Sequence, residues 1–245
     1  MDTSPPWHTP PEHIVLESNE VHVWRASLTP SEARIQVLKQ TLAADELQRA
    51  SRFHFPKDRN HFIVARGLLR AMLARYLLCD PRSLSFSVNQ YGKPSLTSAS
   101  QHTPLYFNVS HSHEMALYAF TTLGEVGIDL EYINRNVEIL ELAGRFFSPR
   151  EVAMLRTVPS QFQYEAFFNC WTRKEAYIKA RGMGLSLDLQ LFDVSLAPGM
   201  PATLLASREF GQDAARWSLY DLSPGLGYKA ALAVAGHPFR LAFWQ

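Results

Sequence analysis

The residues best suited to chemistry lie in one short alternating segment, Val126-Gly-Ile-Asp-Leu-Glu-Tyr132. Successive side chains of a strand point to opposite faces, so Asp129 and Glu131 share the face that Gly127 leaves open. Two carboxylates on one rigid element can bind a hard cation, and the absent side chain of Gly127 is expected to leave room for a ligand. An edge strand with two solvent-exposed acids explains this segment equally well.

A third acid lies within the apolar stripe of a predicted helix over 164–181. Its spacing places five residues on one face: Tyr164, Phe168, Trp171, Glu175 and Ile178. Burial of a lone carboxylate is costly, so Glu175 predicts a nearby cation, a metal or a shifted pKa. The alternative is a surface ion pair between Glu175 and Lys179, one helical turn further on.

A polar segment, Phe107-Asn-Val-Ser-His-Ser112, ends another predicted strand. Its backbone amides, the Ser110 hydroxyl and the His111 ring are suited to binding a phosphate. His111 and His113 also form a His-x-His pair, which needs a third ligand to make a zinc site. A turn or helix cap made by the serines is the alternative, and it is favoured when this segment is taken alone.

The surrounding pattern indicates an α+β fold that holds these segments on strands and helices. A helix is predicted to open at Thr29-Pro30-Ser31, and a longer one to run from about Asp58 to Leu78. Strands are predicted from Val21 onward and at 84–88, 105–109, 115–120 and 126–133, with helices up to about Arg181 and short strands after it. A turn at 91–94 and a surface loop at 95–103 are also expected.

Two segments echo each other, Ala50-Ser-Arg-Phe-His-Phe-Pro56 and Ala143-Gly-Arg-Phe-Phe-Ser-Pro149, each ending one helix and introducing the next. The echo indicates an internal duplication. We therefore expect a flexible arm at 1–12 and two similar α+β halves at 13–122 and 123–245. A pseudo-twofold axis would relate the halves, with the active site between them and the metal site on the second.

The composition excludes several classes of protein. Among 245 residues, 24 Lys and Arg nearly cancel 23 Asp and Glu, so no nucleic-acid or membrane-surface partner is predicted. The hydrophobic content of 47% is enough for a substantial core. Cys79 and Cys170 match neither a disulfide framework nor a structural zinc site. Without an apolar run of about 18 residues, a membrane span is not expected, and we predict a cytoplasmic protein.

Four motifs in series resemble the successive signatures of the Sfp-type phosphopantetheinyl transferases. They are Phe-Asn-Val-Ser-His-Ser at 107–112, Gly-Ile-Asp-Leu-Glu at 127–131, Arg-Phe-Phe-Ser at 145–148 and Trp-Thr-Arg-Lys-Glu-Ala-Tyr-Ile-Lys at 171–179. Arg66-Gly-Leu-Leu-Arg70 and Tyr-Gly-Lys-Pro at 91–94 extend the resemblance over nearly the whole chain. It implies the long, monomeric form of the family, which carries two halves in one chain.

The resemblance implies transfer of the 4′-phosphopantetheine of coenzyme A to a serine of an apo acyl or peptidyl carrier protein, with release of 3′,5′-ADP. It assigns Mg²⁺ to Asp129, Glu131 and Glu175, against the pyrophosphate of coenzyme A. Lys179 would contact the phosphate on the pantetheine side. The base that takes the serine proton would be Glu175 or a metal-bound water.

The same resemblance assigns further contacts with coenzyme A. Ser110 and His111 would meet the phosphates from the other side. Arg49, Arg66 and Lys93 would hold the 3′-phosphate and the adenine end. Glu151 matches an acidic position of the family that we expect near the site, without an assigned role.

The resemblance also directs attention to the segment 134–156 as a docking surface, because carrier proteins are generally acidic around the modified serine. It contains Arg135, Arg145, Arg150 and Arg156 among apolar residues. Leu142 and Phe146 fit better as core residues at helical spacing.

Two other functions use some of the same residues. A metal-dependent phosphoesterase or nuclease needs clustered carboxylates and a nearby histidine, and would hydrolyse its substrate with water. A non-catalytic binder of coenzyme A or of a carrier would keep a basic groove without needing all three acids.

Overall fold

The structure, a computed structural model, describes residues 6–97, 104–208, 211–236 and 238–245. Part of the predicted arm, residues 1–5, and most of the predicted loop, residues 98–103, lie outside the described residues. Within the described ranges the chain forms six α-helices and eleven strands. The prediction of an α+β fold is confirmed.

The first half holds three helices and five strands. They are β1 (Glu20–Ser27), α1 (Glu32–Lys39), α2 (Ala44–Ser51), α3 (Pro56–Leu77), β2 (Phe86–Val88), β3 (Pro94–Leu96), β4 (Tyr106–Ser112) and β5 (Met115–Thr121). Ser31 caps α1 by accepting a hydrogen bond from the Arg34 amide, as the predicted helix start requires. Strand β3 was not expected, and it pairs with β2 around the predicted turn.

The second half holds the other six strands and three helices. They are β6 (Val126–Tyr132), α4 (Ile139–Phe146), α5 (Pro149–Thr157), α6 (Ser160–Arg181), β7 (Phe192–Val194), β8 (Leu204–Ser207), β9 (Trp217–Leu222), β10 (Tyr228–Ala235) and β11 (Arg240–Trp244). The two echoing segments lie at the α2–α3 and α4–α5 junctions, and Pro56 and Pro149 each open the second helix. The predicted role of the echo at helix junctions is confirmed.

Two sheets form the centre of the molecule, in the orders β11-β1-β5-β4 and β6-β10-β9. Their apolar faces pack together, with Val126, Ile128 and Leu130 of β6 against residues of β1 and β5. The predicted alternation of β6 is therefore confirmed. The pseudo-twofold axis and the division at 122/123 stay predictions.

The C-terminal strand returns to the sheet of the first half, where β11 runs parallel to β1. Residues 7 and 8 of the predicted flexible arm lie alongside β11. The His8 amide donates to the Phe243 carbonyl at 3.0 Å, and the Trp7 ring packs edge-on against Phe243. This part of the arm is bound to the sheet because its backbone and aromatic groups find partners there.

The edges of β4 and β6 meet through side chains. Three polar side chains of β4 accept hydrogen bonds from backbone amides of β6: Asn108 from Ile128 (2.8 Å), Ser110 from Leu130 (3.1 Å) and Ser112 from Tyr132 (3.0 Å). Side chains on one face of β4 thus replace a backbone ladder between the two sheets. We call these three residues of β4 the seam.

Strand β6 crosses helix α6 at Gly127. A Cβ atom added there would lie less than 3.0 Å from the Ala176 carbonyl oxygen and the Ala180 amide nitrogen. The space that we expected to hold a ligand is therefore filled by the helix backbone, and that expectation is wrong. Glycine permits the close approach that brings the acids of β6 next to α6. No helix in the described ranges is long and apolar enough to cross a membrane.

We predict that Gly127→Ala destabilises the protein by at least about 3 kcal/mol, because the new methyl group collides with the backbone of α6. The measurement is urea unfolding followed by circular dichroism. Gly144→Ala is the matched control, since a Cβ at Gly144 meets nothing within 4 Å. In the interior of α4 it should stabilise by about 0.5–1 kcal/mol. Equal effects of the two changes would contradict the crossing.

Candidate active site

Asp129 lies buried between β6, β4 and α6, with only 3% of its surface exposed. Its Oδ1 accepts hydrogen bonds from Ser110 Oγ at 3.0 Å and Lys179 Nζ at 2.6 Å. Its Oδ2 is buried and has no hydrogen-bond partner among the described residues. An exposed edge acid, the alternative interpretation of this position, is therefore wrong.

Glu131 points to the same side of β6, nearer the solvent. It accepts a hydrogen bond from Ser112 Oγ at 2.9 Å, and another from the Trp171 side chain. Burial and the neighbouring charge of Asp129 raise the pKa of Glu131. The two acids of the strand therefore lie close enough to repel each other.

Glu175 lies on α6 near these two acids, and its pKa is shifted, which is one of the outcomes that its place in the apolar stripe predicts. Burial, followed by the charge of Asp129, raises the pKa of Glu175 to about 7, whereas Lys179 opposes the shift. Lys179 Nζ bonds Asp129 and Ser110, so the alternative of a surface pair with Glu175 is not the arrangement seen. Lys179 thus pairs with Asp129, and the described residues include no ion pair of Glu175.

The three acids face one another, but their side chains do not converge on a point. In the part of the chain that the structure describes, no group of three His, Cys, Asp or Glu side chains is arranged to hold a metal ion. The predicted ligand set of Asp129, Glu131 and Glu175 therefore stays a prediction. The same finding gives no support to a zinc site at His111 and His113.

The β4 segment has a role that the sequence interpretation missed. Ser110 accepts hydrogen bonds from the Leu130 amide and the Lys179 ammonium, and its hydroxyl donates a hydrogen bond to Asp129. Ser112 joins the Tyr132 amide to Glu131 in the same way. The polar alternation of 108, 110 and 112 was the available signal. It was read as a turn or a phosphate loop, because the neighbouring strand is not visible in the sequence.

A cavity of about 1020 Å³ opens beside this group, on the side of the first half. Its basic and imidazole side chains come from α2, α3 and β4–β5: Arg49, Lys57, His61, Arg66, His111 and His113. Burial and the charge of Lys179 lower the pKa of His111. The cavity thus presents donors suited to phosphate groups, beside the acids of β6 and α6.

Arg49 and Arg66, both predicted to contact coenzyme A, line this cavity. The Arg66 guanidinium lies 3.9 Å from the centre of the Phe86 ring and pairs with the buried Glu46. Glu46 also accepts a hydrogen bond from Arg70 Nε at 2.6 Å. The carboxylate that binds Arg66 is therefore held in place. The exposed Arg49 lies over the Phe62 ring.

Lys93 and Glu151 are placed differently from the other predicted residues. Lys93 Nζ donates to two backbone carbonyls, those of Val126 and Ala180, and its side chain does not line the cavity. Glu151 is buried on the other side of α6, where it pairs with Lys174 Nζ at 2.8 Å. The structure thus places Glu151 in an ion pair of the core.

We predict that Glu175→Gln stabilises the metal-free protein at pH 8 and has little effect at pH 5. The folded-state pKa lies above the ordinary value of 4.5, so stability falls as the pH rises from 4.5 to about 7. Removing the charge should raise the free energy of unfolding at pH 8 by on the order of 1–3 kcal/mol. Thermal unfolding in a chelator measures this, with the exposed Glu32→Gln as control. A loss of stability at pH 8 would contradict the arrangement.

Comparisons with known proteins bear on this geometry. A family model for the 4′-phosphopantetheinyl transferase N-terminal region matches residues 26–122, and one for the 4′-phosphopantetheinyl transferase superfamily matches residues 125–235. The two matched regions indicate two halves.

Curated relatives agree with both family models. The 4′-phosphopantetheinyl transferase HetI of a Nostoc species is 41% identical over 98% of each chain. The 4′-phosphopantetheinyl transferase Sfp of Bacillus subtilis is 32% identical over 63% of this chain and 66% of its own. The L-aminoadipate-semialdehyde dehydrogenase-phosphopantetheinyl transferase of Xenopus laevis is 29% identical over 70% of this chain and 60% of its own. The motifs of β4, β6 and α6, and this similarity along the whole length, show that the chain belongs to the 4′-phosphopantetheinyl transferase family.

Proposed function

We propose that this transferase moves 4′-phosphopantetheine from coenzyme A to a serine of an apo acyl or peptidyl carrier protein, at the acids of β6 and α6. The observation that carries the proposal is the contact of Lys179 with Asp129 and Ser110, beside Glu175 and the basic cavity. In a phosphoryl transfer, the Lys179 ammonium can bind phosphate oxygens, and the acids of β6 and α6 can bind a metal ion or accept a proton. The unpaired Cys79 and Cys170 support a reducing, cytoplasmic compartment, and the two halves in one chain support a monomer.

Mg²⁺ is the cofactor that the three acids would hold. Their ligand atoms are all carboxylate oxygens, which Mg²⁺ prefers. Asp129 Oδ2 has no hydrogen-bond partner among the described residues, and burial with the charge of Asp129 raises the pKa of Glu175, so a cation beside these groups would be favourable. Asp129, Glu131 and Glu175 therefore fit the ion by chemistry. When bound, it would neutralise charge that develops on the leaving phosphate.

In the reaction the serine Oγ forms a bond to the β-phosphorus of coenzyme A, and the bond from that phosphorus to the 3′,5′-ADP oxygen breaks. The Lys179 ammonium would bind a non-bridging oxygen of the phosphate attached to pantetheine. Ser110 holds Lys179 and Asp129 in register through its hydroxyl. Lys179, held in place by Ser110, would thus orient the group that is transferred.

The serine proton needs an acceptor, and Glu175 is a candidate because it lies on α6 beside Asp129 and Lys179. Its pKa of about 7 is that of the metal-free protein, and a cation bound by the same carboxylate would lower it. We propose Glu175 as this base. The cavity would hold the nucleotide, with His111 toward the pyrophosphate and with Arg49 and Arg66 toward the 3′-phosphate.

The direct test incubates the protein with coenzyme A, Mg²⁺ and an apo carrier protein, and analyses the products by intact mass. Transfer gives a carrier heavier by one phosphopantetheine group together with 3′,5′-ADP. Hydrolysed coenzyme A would indicate a phosphoesterase, and unchanged reactants a binder. The control variant Glu175→Ala should lose orders of magnitude in rate while its circular dichroism stays unchanged.

We predict that Arg66→Ala raises the KM for coenzyme A more than it lowers kcat, because a contact remote from phosphorus is made equally in ground and transition states. The variant should also discriminate poorly between coenzyme A and its 3′-dephospho form. The buried Glu46 still pairs with Arg70 in this variant, so we expect the fold to be retained. Arg82→Ala, exposed and outside the cavity, is the control. An unchanged preference for the 3′-phosphate would show that other residues read it.

We propose the segment 134–156 as the surface on which the carrier docks. All four of its arginines are exposed, as are Leu140 (44%) and Met154 (45%). Leu142 and Phe146 pack against the core of the second half, as predicted. Two glutamates, Glu138 and Glu141, are exposed as well, so the exposed part combines a positive net charge with two apolar side chains, which suits an acidic partner.

We predict that Arg135→Glu and Arg150→Glu each raise the KM for the carrier and weaken its salt dependence, with the KM for coenzyme A unchanged. Steady-state kinetics at several ionic strengths measures both effects. Arg34→Glu, an exposed charge reversal on α1, is the matched control. If the control raises the carrier KM as much as the two variants do, the docking surface lies elsewhere.

A further inference from the structure

The β2–β3 hairpin of the first half reaches the second half through its turn, residues 89–93. Lys93 Nζ donates to the Val126 carbonyl at 3.0 Å and to the Ala180 carbonyl at 2.9 Å. Asn89 Nδ2 donates to the Gly182 carbonyl at 2.6 Å. The turn is therefore bonded to the first residue of β6 and to the last turn of α6. We call these three hydrogen bonds the latch.

The turn itself is rigid, which fixes the point from which Lys93 extends. Asn89 Oδ1 accepts hydrogen bonds from the amides of Tyr91 at 3.0 Å and Lys93 at 2.9 Å. Gly92 supplies the positive φ of +87° that the turn needs. One asparagine thus orders the turn with its oxygen and binds α6 with its nitrogen.

The end of α6 is a favourable place for this lysine. The last carbonyls of a helix have no partner within the helix, and a cation there meets the negative end of the helix dipole. Gly182 ends the helix with φ +65°, and a Cβ on it would lie 3.0 Å from Lys93 Cδ. Burial lowers the pKa of Lys93 to about 8, so its ammonium has left bulk water for these carbonyls.

The latch lies at the point where β6 and α6 cross. Val126 precedes Gly127, the residue of closest approach, and Ala180 is one of the residues that Gly127 touches. From that crossing the strand continues to Asp129 and the helix leads back to Lys179 and Glu175. Lys93 therefore holds the two elements of the active site together at one end.

We propose that Lys93 is a positioning residue, which fixes β6 against α6 and so sets the spacing of the acids and Lys179, and that it does not bind coenzyme A. The inference rests on the transfer activity proposed above. Gly92 and Pro94, on either side of Lys93, line the cavity. The hairpin thus joins the wall of the nucleotide cavity to the elements that carry the reacting groups.

The test compares Lys93→Met with Lys93→Arg in steady-state kinetics with coenzyme A and with its 3′-dephospho form. A positioning role predicts that Lys93→Met lowers kcat at least about tenfold, since small displacements of reacting groups are costly. The KM for coenzyme A and the preference for the 3′-phosphate should stay within about twofold of wild type. Lys93→Arg, which keeps donors at this position, should recover part of kcat. A raised KM with loss of the 3′-phosphate preference would overturn the proposal.

A second variant keeps the test decisive if Lys93→Met does not fold. Asn89→Asp retains the oxygen that orders the turn and removes the donor to Gly182, so it too should lower kcat selectively. Ser95→Ala is the control, because it lies in the same hairpin and removes a hydroxyl that hydrogen-bonds Ser87 rather than β6 or α6. Wild-type kcat in Asn89→Asp would overturn the proposal.

Hydrogen exchange gives a readout that does not depend on activity. Peptides covering 126–132 and 176–182 should exchange faster in Asn89→Asp and Lys93→Met than in wild type or Ser95→Ala. Unchanged exchange in both latch variants would contradict the proposal that the latch holds β6 against α6, even if transfer is slow. Absence of transfer by wild type, with the exchange difference present, would instead count against the proposed function.

Discussion

The close approach of β6 to α6 at Gly127 is the constraint on which the site depends. Backbone meets backbone there, because a Cβ atom would collide with Ala176 and Ala180. One element carries Asp129 and Glu131, and the other carries Glu175 and Lys179. Their side chains face one another only because the two backbones are this close. The geometry of the acids is thus set by packing several residues away from them.

The joint between the two sheets serves the site as well as the fold. Each seam side chain accepts a hydrogen bond from a backbone amide of β6. It thus satisfies an amide that has no backbone carbonyl of β4 as its partner. Ser110 and Ser112 then have one hydroxyl hydrogen left to donate, and each gives it to an acid of β6. The hydrogen bonds that hold the halves together therefore also orient the carboxylates.

Charge is balanced in the core but not at the site. Glu151 is paired with Lys174, and Glu46 with Arg66 and Arg70, so these buried acids are compensated. At the junction of β6 and α6, three acids share the ammonium of Lys179. Burial, together with the charge of Asp129, raises the pKa of Glu175, and Asp129 Oδ2 has no hydrogen-bond partner among the described residues. A cavity lined by basic side chains and a group of acids short of positive charge lie side by side, an arrangement that suits the proposed transfer with a divalent cation.

The sequence by itself determined the elements and the three acids, because strand alternation and helical spacing are local: Asp129 and Glu131 share a face, and Glu175 lies in the stripe of α6. It could not decide which residues from distant segments meet. Lys93 was assigned to the nucleotide but lies on the carbonyls of Val126 and Ala180, and Glu151 lies in a core ion pair. Gly127 was expected to leave a space, which the helix fills. Only tertiary structure settles such contacts, because a side chain's partner depends on which backbone packs beside it, and spacing along the chain carries no record of that neighbour.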